Sequence, residues 1–274
     1  NTFTGAATVN AGTVKLGGTA SGADSPLGTI AGGTSVSATG AALDLNGVTL
    51  ATAEPLSLVG TGVSGSGALT NNGLSAASYS GTVTISTGGA AIGGTGNITL
   101  SSALAGNNLL TKTGTNTLTL TTTSTRTGGT QVDSGGLRLS APAALGDAEQ
   151  TLTLNGGTVD LATDTSVAAH SVAVSASSNI TANRATSGSG ITHTLGTLTL
   201  GSSNLTISAG SNVSTNSAYG VTFGATSLTG NATVDIANQG TATGTLTLGA
   251  VTASGNNSIT KNGAGALVFS GANT

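Results

Sequence analysis

Any chemistry in this chain must come from few residues: nine acids, six bases and two histidines stand among 274 residues, with no cysteine and no methionine. Asp44 in "LDLNG" and Asp160 in "VDLAT" occupy equivalent places, each between apolar neighbours (Leu43 and Leu45; Val159 and Leu161), so alternation points both carboxylates outward. The chemistry open to them is that of a glycosidase couple or a calcium ligand; the plain alternative is a solvated strand position. Glycosidase carboxylates face each other across about 5 to 10 Å. These two lie more than a hundred residues apart, several turns of chain from each other, and are not expected to cooperate. Asp164 beside Asp160 adds one more carboxylate where calcium collects about six to eight oxygens, and the periodic GGxGxD nonapeptide is missing.

The remaining candidates give no more. His170 and His193 have neither a zinc spacing nor a triad around them, and His193, in "ITHTLGTLTL", is expected to face solvent. Glycine-rich stretches lack the GK[ST] ending and the following helix of a phosphate loop, and no GxSxG elbow occurs. Lys112 matches Lys261 and Lys15 matches Arg138 within a repeat, so these bases are expected to serve geometry, blunting sheet edges or setting lateral register between solenoids. Catalytic, cofactor-binding and metal residues are therefore expected to be none, no cofactor is expected, and the chain is not expected to be an enzyme. Thr-x-Thr triplets begin at 82, 117, 151, 197 and 245, too irregularly for a flat ice-binding face.

The elements that must position these residues are strands. Short alternating runs such as "TVKL", "GTVTI", "NITL", "NTLTL", "QTLTLNGGTVDL" and "ALVF" fill the chain, bounded by Gly, Asn or Asp. Val, Leu, Ile and Ala take the inward places and Thr and Ser the outward ones, which suits a pleated surface because branching at Cβ restricts χ1. No helix is expected: "ATAEPLSL" meets Pro55 and returns to alternation, and "APAALGDAEQ" is one turn at most. The 45 glycines mark corners. Charged residues make up 5% of the chain and aromatics 2%, against roughly a quarter charged in an ordinary domain. A formal charge of −3 without basic runs excludes a nucleic-acid footprint, and scattered Phe3, Tyr79, Tyr219, Phe223 and Phe269 make no stacking platform. No segment is apolar for long enough to span a bilayer as a helix, so no membrane insertion by this stretch is expected.

Repeats set the architecture. "LTKTGTNTLTLTTTSTRTGGTQVDSGGLRLS" at 110–140 follows "ITKNGAGALVFSGANT" at 259–274 continued through "FTGAATVNAGTVKLG" at 3–17, the Asn-Thr shared by 273–274 and 1–2 being counted once. Lys112 then matches Lys261, Gly114 Gly263, Leu118 Leu267, Val132 Val9, Gly135 Gly12, Arg138 Lys15 and Leu139 Leu16. Further on, "SPLG" at 25–28 tracks "AALG" at 143–146. The reading is one continuous solenoid segment over 1–274 with two related halves, about 1–109 plus 259–274 and 110–258.

At "KNGAGALVFSGANT" and "FTGAATVNAGTVKL" the sequence resembles the autotransporter passenger-associated strand repeat, and "EPLSLVGTGVSGSGALTNNG" at 54–73 is similar to the segment that often accompanies it. The resemblance implies an all-β, right-handed parallel β-helix of roughly a dozen rungs, exported to the bacterial cell surface with a structural or adhesive role. The internal copy departs from it at Arg126, which stands where Phe3 does, and at "TTTST" in place of "SGANT". Neither end of the chain carries a capping repeat, so further copies of itself are expected along the axis, in covalent tandem or head to tail, adding about 50 to 65 Å of fibre each. Lateral bundling and a glycan or cell-surface target are further expected partners; the alternative is a carbohydrate-active or glycan-binding β-helix.

Overall fold

The computed structural model describes residues 1–18 and 25–274. Within them there is no α-helix, only the 3-10 turn Val63–Gly65, and the strands build a parallel β-solenoid of about 11 turns. The expected fold class is thus met. The chain divides into two compact units, residues 1–137 with 144–146, and residues 138–143 with 147–274.

In the first unit one ladder runs Ala7–Val9, Thr34–Val36, Leu56–Gly60, Val83–Gly94, Leu110–Lys112, Thr130–Val132, all parallel. A second runs Thr49–Leu50, Ala77–Tyr79, Ile98–Leu100, Thr117–Leu120. A branch, Gly12–Lys15, Ala41–Asp44, Leu69–Asn71, joins the far end of Val83–Gly94, which turns a corner at Gly88 and Gly89. Apolar residues stack on apolar residues one turn away: Ile98 stands opposite Leu118, and Leu100 opposite Leu120. Each backbone N–H and C=O finds its partner in the next turn, so the ladder satisfies the groups that a narrow core would otherwise strand.

The second unit keeps the same logic with three faces. Its ladders are Thr151–Asn155 to Val251–Ala253, Thr158–Ala162 to Ile259–Asn262, and Thr192–Thr194, Tyr219–Thr222, Gly244–Leu248, Ala266–Phe269. The third face lengthens the turn. Leu110 pairs with Thr130, 20 residues on, whereas Leu198 pairs with Thr226, 28 residues on. The expectation of 20 to 25 residues per rung holds for the first case and falls short for the second, because each added strand brings its own corner.

The repeat copies build the same turn. Thr121 N donates to Leu100 O and Thr125 N to Leu104 O, each across 3.2 Å; Ser270 N donates to Leu248 O at 2.8 Å and Thr274 N to Val251 O at 2.9 Å. Gly135 and Gly12 share φ of 66° and 67°, and Gly114 and Gly263 share 73° and 75°. These left-handed corners are open to glycine and strained for other residues.

Candidate functional site: the polar interior of the repeat turn

Lys112 lies on the strand Leu110–Lys112 with the parity of the buried Leu110, so its side chain enters the core and is fully buried. Its ammonium is crowned by three carbonyls: Thr113 O at 2.6 Å, Gly114 O at 3.1 Å and Ser134 O, from the next turn, at 3.2 Å. Gly135 makes room for it, since a Cβ there would stand 2.9 Å from Nζ. Burial pulls the lysine down to about 8. The expectation that this base blunts a sheet edge is overturned: it crosslinks two turns from inside.

Arg126 is also fully buried. Nη1 donates to Thr130 Oγ1 at 2.7 Å, and Nη2 to Asn108 O at 2.9 Å and Gly129 O at 2.7 Å. Nε has no partner, and burial lowers the guanidinium to about 10. Planar donors in a fixed fork suit carbonyls converging at a corner, which is why an arginine can replace an aromatic here.

Asp44 is 4% exposed, which corrects the solvated strand position expected of it. It does turn away from the core leucines, but the corner folds over it: Oδ1 accepts from Asn46 N at 3.0 Å and Asn72 N at 2.9 Å. The asparagines that marked strand ends in the sequence are staples. Asn71 Oδ1 accepts from Gly47 N and Gly73 N, while its amide donates to Ser75 O and Asn97 O. Sequence reasoning saw boundary residues there and missed the staples; their signal was recurrence of Asn at corners.

Both recurring acids answer the recurring bases. Lys15 stands directly opposite Asp44 in the parallel ladder, and Arg138 Nη1 lies 2.5 Å from Asp160 Oδ2. Asp160 also accepts from Asn183 Nδ2 at 3.2 Å. Asp164 is held by Thr186 Oγ1 at 2.8 Å and by Arg184 at 3.2 Å, contacts that lower its carboxyl, the Thr186 hydroxyl foremost. The Asp160–Asp164 neighbourhood is thus occupied by arginines.

His193 overturns its expected solvent position. It shares parity with Ile191 and Leu195, not with the exposed Thr192 and Thr194, and is fully buried, with Nε2 2.9 Å from Asn183 O. Desolvation lowers its pKa. His170 is buried too, its Nδ1 3.2 Å from Gln150 O. Glu54 was not singled out by its sequence. It is buried, accepting from Thr34 Oγ1 at 2.5 Å and Ser25 Oγ at 3.5 Å, with desolvation raising its carboxyl. Tyr79 donates to Glu54 O at 2.8 Å and Tyr219 to Ala237 O at 2.6 Å; burial pushes Tyr219 up to about 12.

The structure brings none of these groups into one reaction centre. Lys112, Arg126 and Glu54 each have their own corner, and among the described residues no three of His, Cys, Asp or Glu gather to hold a metal ion. Three shallow hollows, of about 270, 230 and 150 Å³, are lined by backbone, Gly, Thr, Ser and apolar residues, with no charged side chain. No helix of the described residues is long and apolar enough to cross a membrane.

Compared with known proteins, the chain matches the family model of the passenger-associated-transport-repeat at residues 1–16, 110–139 and 259–274. These are the three phrases whose turns superimpose in hydrogen bonding and corner geometry, and the resemblance read from their residues is the repeat found. No curated protein and no solved structure matches the chain. Repeat and fold together support an autotransporter passenger repeat.

Proposed function

We propose that this segment is a structural stretch of an exported bacterial surface fibre, a non-enzymatic β-solenoid passenger whose turns continue axially into further copies, in covalent tandem or head to tail. The observation that carries the reading is where the charges of the repeat go. Lys112 holds three carbonyls, Arg126 two carbonyls and a hydroxyl, Asp44 two backbone amides, and Arg138 an aspartate of the neighbouring turn. Groups that would act on a substrate are engaged by the stack itself.

A scaffold needs only this. Each turn adds about 4.8 Å of axis and one more layer of ladder hydrogen bonds, and an uncharged surface of hydroxyls and amides offers little repulsion to lateral neighbours or to a glycan or cell-surface target. The adhesive role and bundling belong to this proposal. Fibre diffraction or cryo-electron microscopy of the native surface material tests it: a continuous axial repeat of about 4.8 Å is expected, and isolated particles without axial continuity would overturn it.

A further inference from the structure

The internal copy of the repeat is a complete junction, and the two terminal copies are its separated halves. In the internal copy the lower strand, Leu110–Lys112, is covered by Thr130–Val132. Leu110 N donates to Gly129 O at 3.0 Å, Asp133 N to Lys112 O at 2.9 Å, and Gly136 N to Asn116 O at 3.0 Å. The counterparts of these groups are Ile259 N, Lys261 O and Gly265 O on the lower side, and Ala6 O, Asn10 N and Thr13 N on the upper.

The terminal strands leave those same groups on their open sides. Along Ala7–Val9 the ladder is made by Ala7 N and Val9 O, toward Gly33 and Ser37, and along Gly12–Lys15 by Gly12 N, so alternation turns Ala6 O, Asn10 N and Thr13 N the other way. On Ile259–Asn262, Ser258 O faces Ala232 N, and Gly265 N faces Ile236 O, which turns Ile259 N, Lys261 O and Gly265 O outward. Donors stand where the internal junction has donors, and acceptors where it has acceptors.

Side chains show the same vacancy. Lys261 reaches Asn262 O at 3.3 Å and Gly263 O at 2.7 Å, the two same-turn partners of the crown at Lys112, and stays exposed. The third acceptor, Ser134 O in the internal copy, has Ala11 O as its counterpart. A Cβ on Gly12 would meet nothing, whereas one on Gly135 would press on Lys112 Nζ. Of the seven large hydrophobics that are exposed, four lie on these two borders: Phe3 at 45%, Val14 at 41%, Val268 at 42% and Phe269 at 48%. The internal Arg126–Thr130 hydrogen bond is replaced on the border by Phe3 and Ala7, a matched change from polar to apolar.

We infer that the border formed by Ile259–Asn262 and Ala266–Phe269 binds the border formed by Ala7–Val9 and Gly12–Lys15 of a second copy of this chain, in the register of the internal junction, with Lys261 of one copy completing its crown on Ala11 O of the next. The inference rests on the axial-continuation reading above and adds the residues that meet and their register. In that register Val9 faces Lys261 as Val132 faces Lys112, and Thr8 faces Thr260 as Gln131 faces Thr111. Asn273 and Thr274 are seated on Val251 as Ser124 and Thr125 are on Leu104, so Asn1 and Thr2 of the incoming copy, which correspond to the same two positions, are the ones displaced.

The chain has no cysteine, so the test is a disulfide. Facing residues of parallel neighbours stand about 4.8 Å apart, inside the disulfide range of about 4.4 to 6.8 Å. The full chain carrying Thr8→Cys and Thr260→Cys, both exposed sites, is expected to give a ladder of covalent multimers under mild oxidation, at least about tenfold above a control carrying Thr8→Cys and Thr199→Cys. Removing Asn1 and Thr2 strengthens the ladder. Adding Lys261→Glu suppresses it while circular dichroism and melting of the monomer stay unchanged; Asn10→Pro, which deletes an open-side donor, does the same. Multimers no more abundant than in the control, or a ladder indifferent to both suppressing variants, would overturn the inference. Such a result alongside native material that still shows the axial repeat would leave the scaffold reading standing and reject this register alone.

Discussion

The internal repeat, 110–139, and the terminal copies, 259–274 and 1–16, hold nearly the same phrase under different cover. Lys112 is fully buried beneath the turn that supplies Ser134 O, and Lys261, with the same two same-turn carbonyls, is exposed. Leu118 is fully buried, and its counterpart Leu267 is partly exposed. The difference teaches that in a solenoid burial belongs to the pair of turns and not to the residue. A cation can sit in the core because the corner carbonyls of two successive turns converge on it.

The largest effect that sharpens this contrast is expected at Arg126. Arg126→Ala leaves two corner carbonyls and the Thr130 hydroxyl unpaired around a cavity, and denaturant unfolding is expected to lose about 3 to 5 kcal/mol. Phe3→Ala, at 45% exposure, is expected to lose less than about 1 kcal/mol. Installing the border pair inside, Arg126→Phe with Thr130→Ala, is expected to recover more than half of the loss; no recovery would break the equivalence of the two slots.

Next comes the lysine pair. Lys112→Ala is expected to cost about 2 to 4 kcal/mol through the emptied crown, while Lys261→Ala in the monomer stays within about 0.5 kcal/mol. Equal losses at the two sites would remove the distinction between covered and uncovered copies.

The pH dependence of the covered copy is a smaller effect. Lys112 is lowered from 10.5 to about 8 in the fold, so between those values the unfolded chain binds more protons. Stability is therefore expected to rise with pH from about 8 to about 10.5. Lys112→Met flattens that rise in melting curves taken across the window, and Lys261→Met leaves it in place. The smallest effect is expected at His193, whose pKa lies below its usual 6.5. The unfolded chain takes the proton first on acidification, so stability falls as pH drops through 6.5 toward the lowered value, and His193→Gln removes that limb.

Much of the fold was legible because period-two alternation and glycine corners are local. The runs at 98–100 and 117–120 became strands with Ile98, Leu100, Leu118 and Leu120 inward, as their pattern required. The interior polar site was legible in part. Pairing Lys112 with Lys261 and Lys15 with Arg138 found the right residues, but read Lys112 as a surface charge because a lysine at an inward position is rare without partners. Those partners are main-chain carbonyls, which carry no residue-type signal. His193 was legible from parity with Ile191 and Leu195 and was placed wrongly by giving polarity precedence over period. Glu54 had no signal beyond an acid before Pro55.

By itself the sequence determined the strands, their inward faces, the corners and the existence of a repeated turn, since each follows from a residue's own conformational preference and its neighbours along the chain. Only the tertiary structure decided which charges are buried, that asparagines staple one turn to the next, and that the terminal copies display the open halves of an internal junction. The partner of every such group lies about 20 or more residues away, one turn along the axis, where stacking and not local pattern sets the contact.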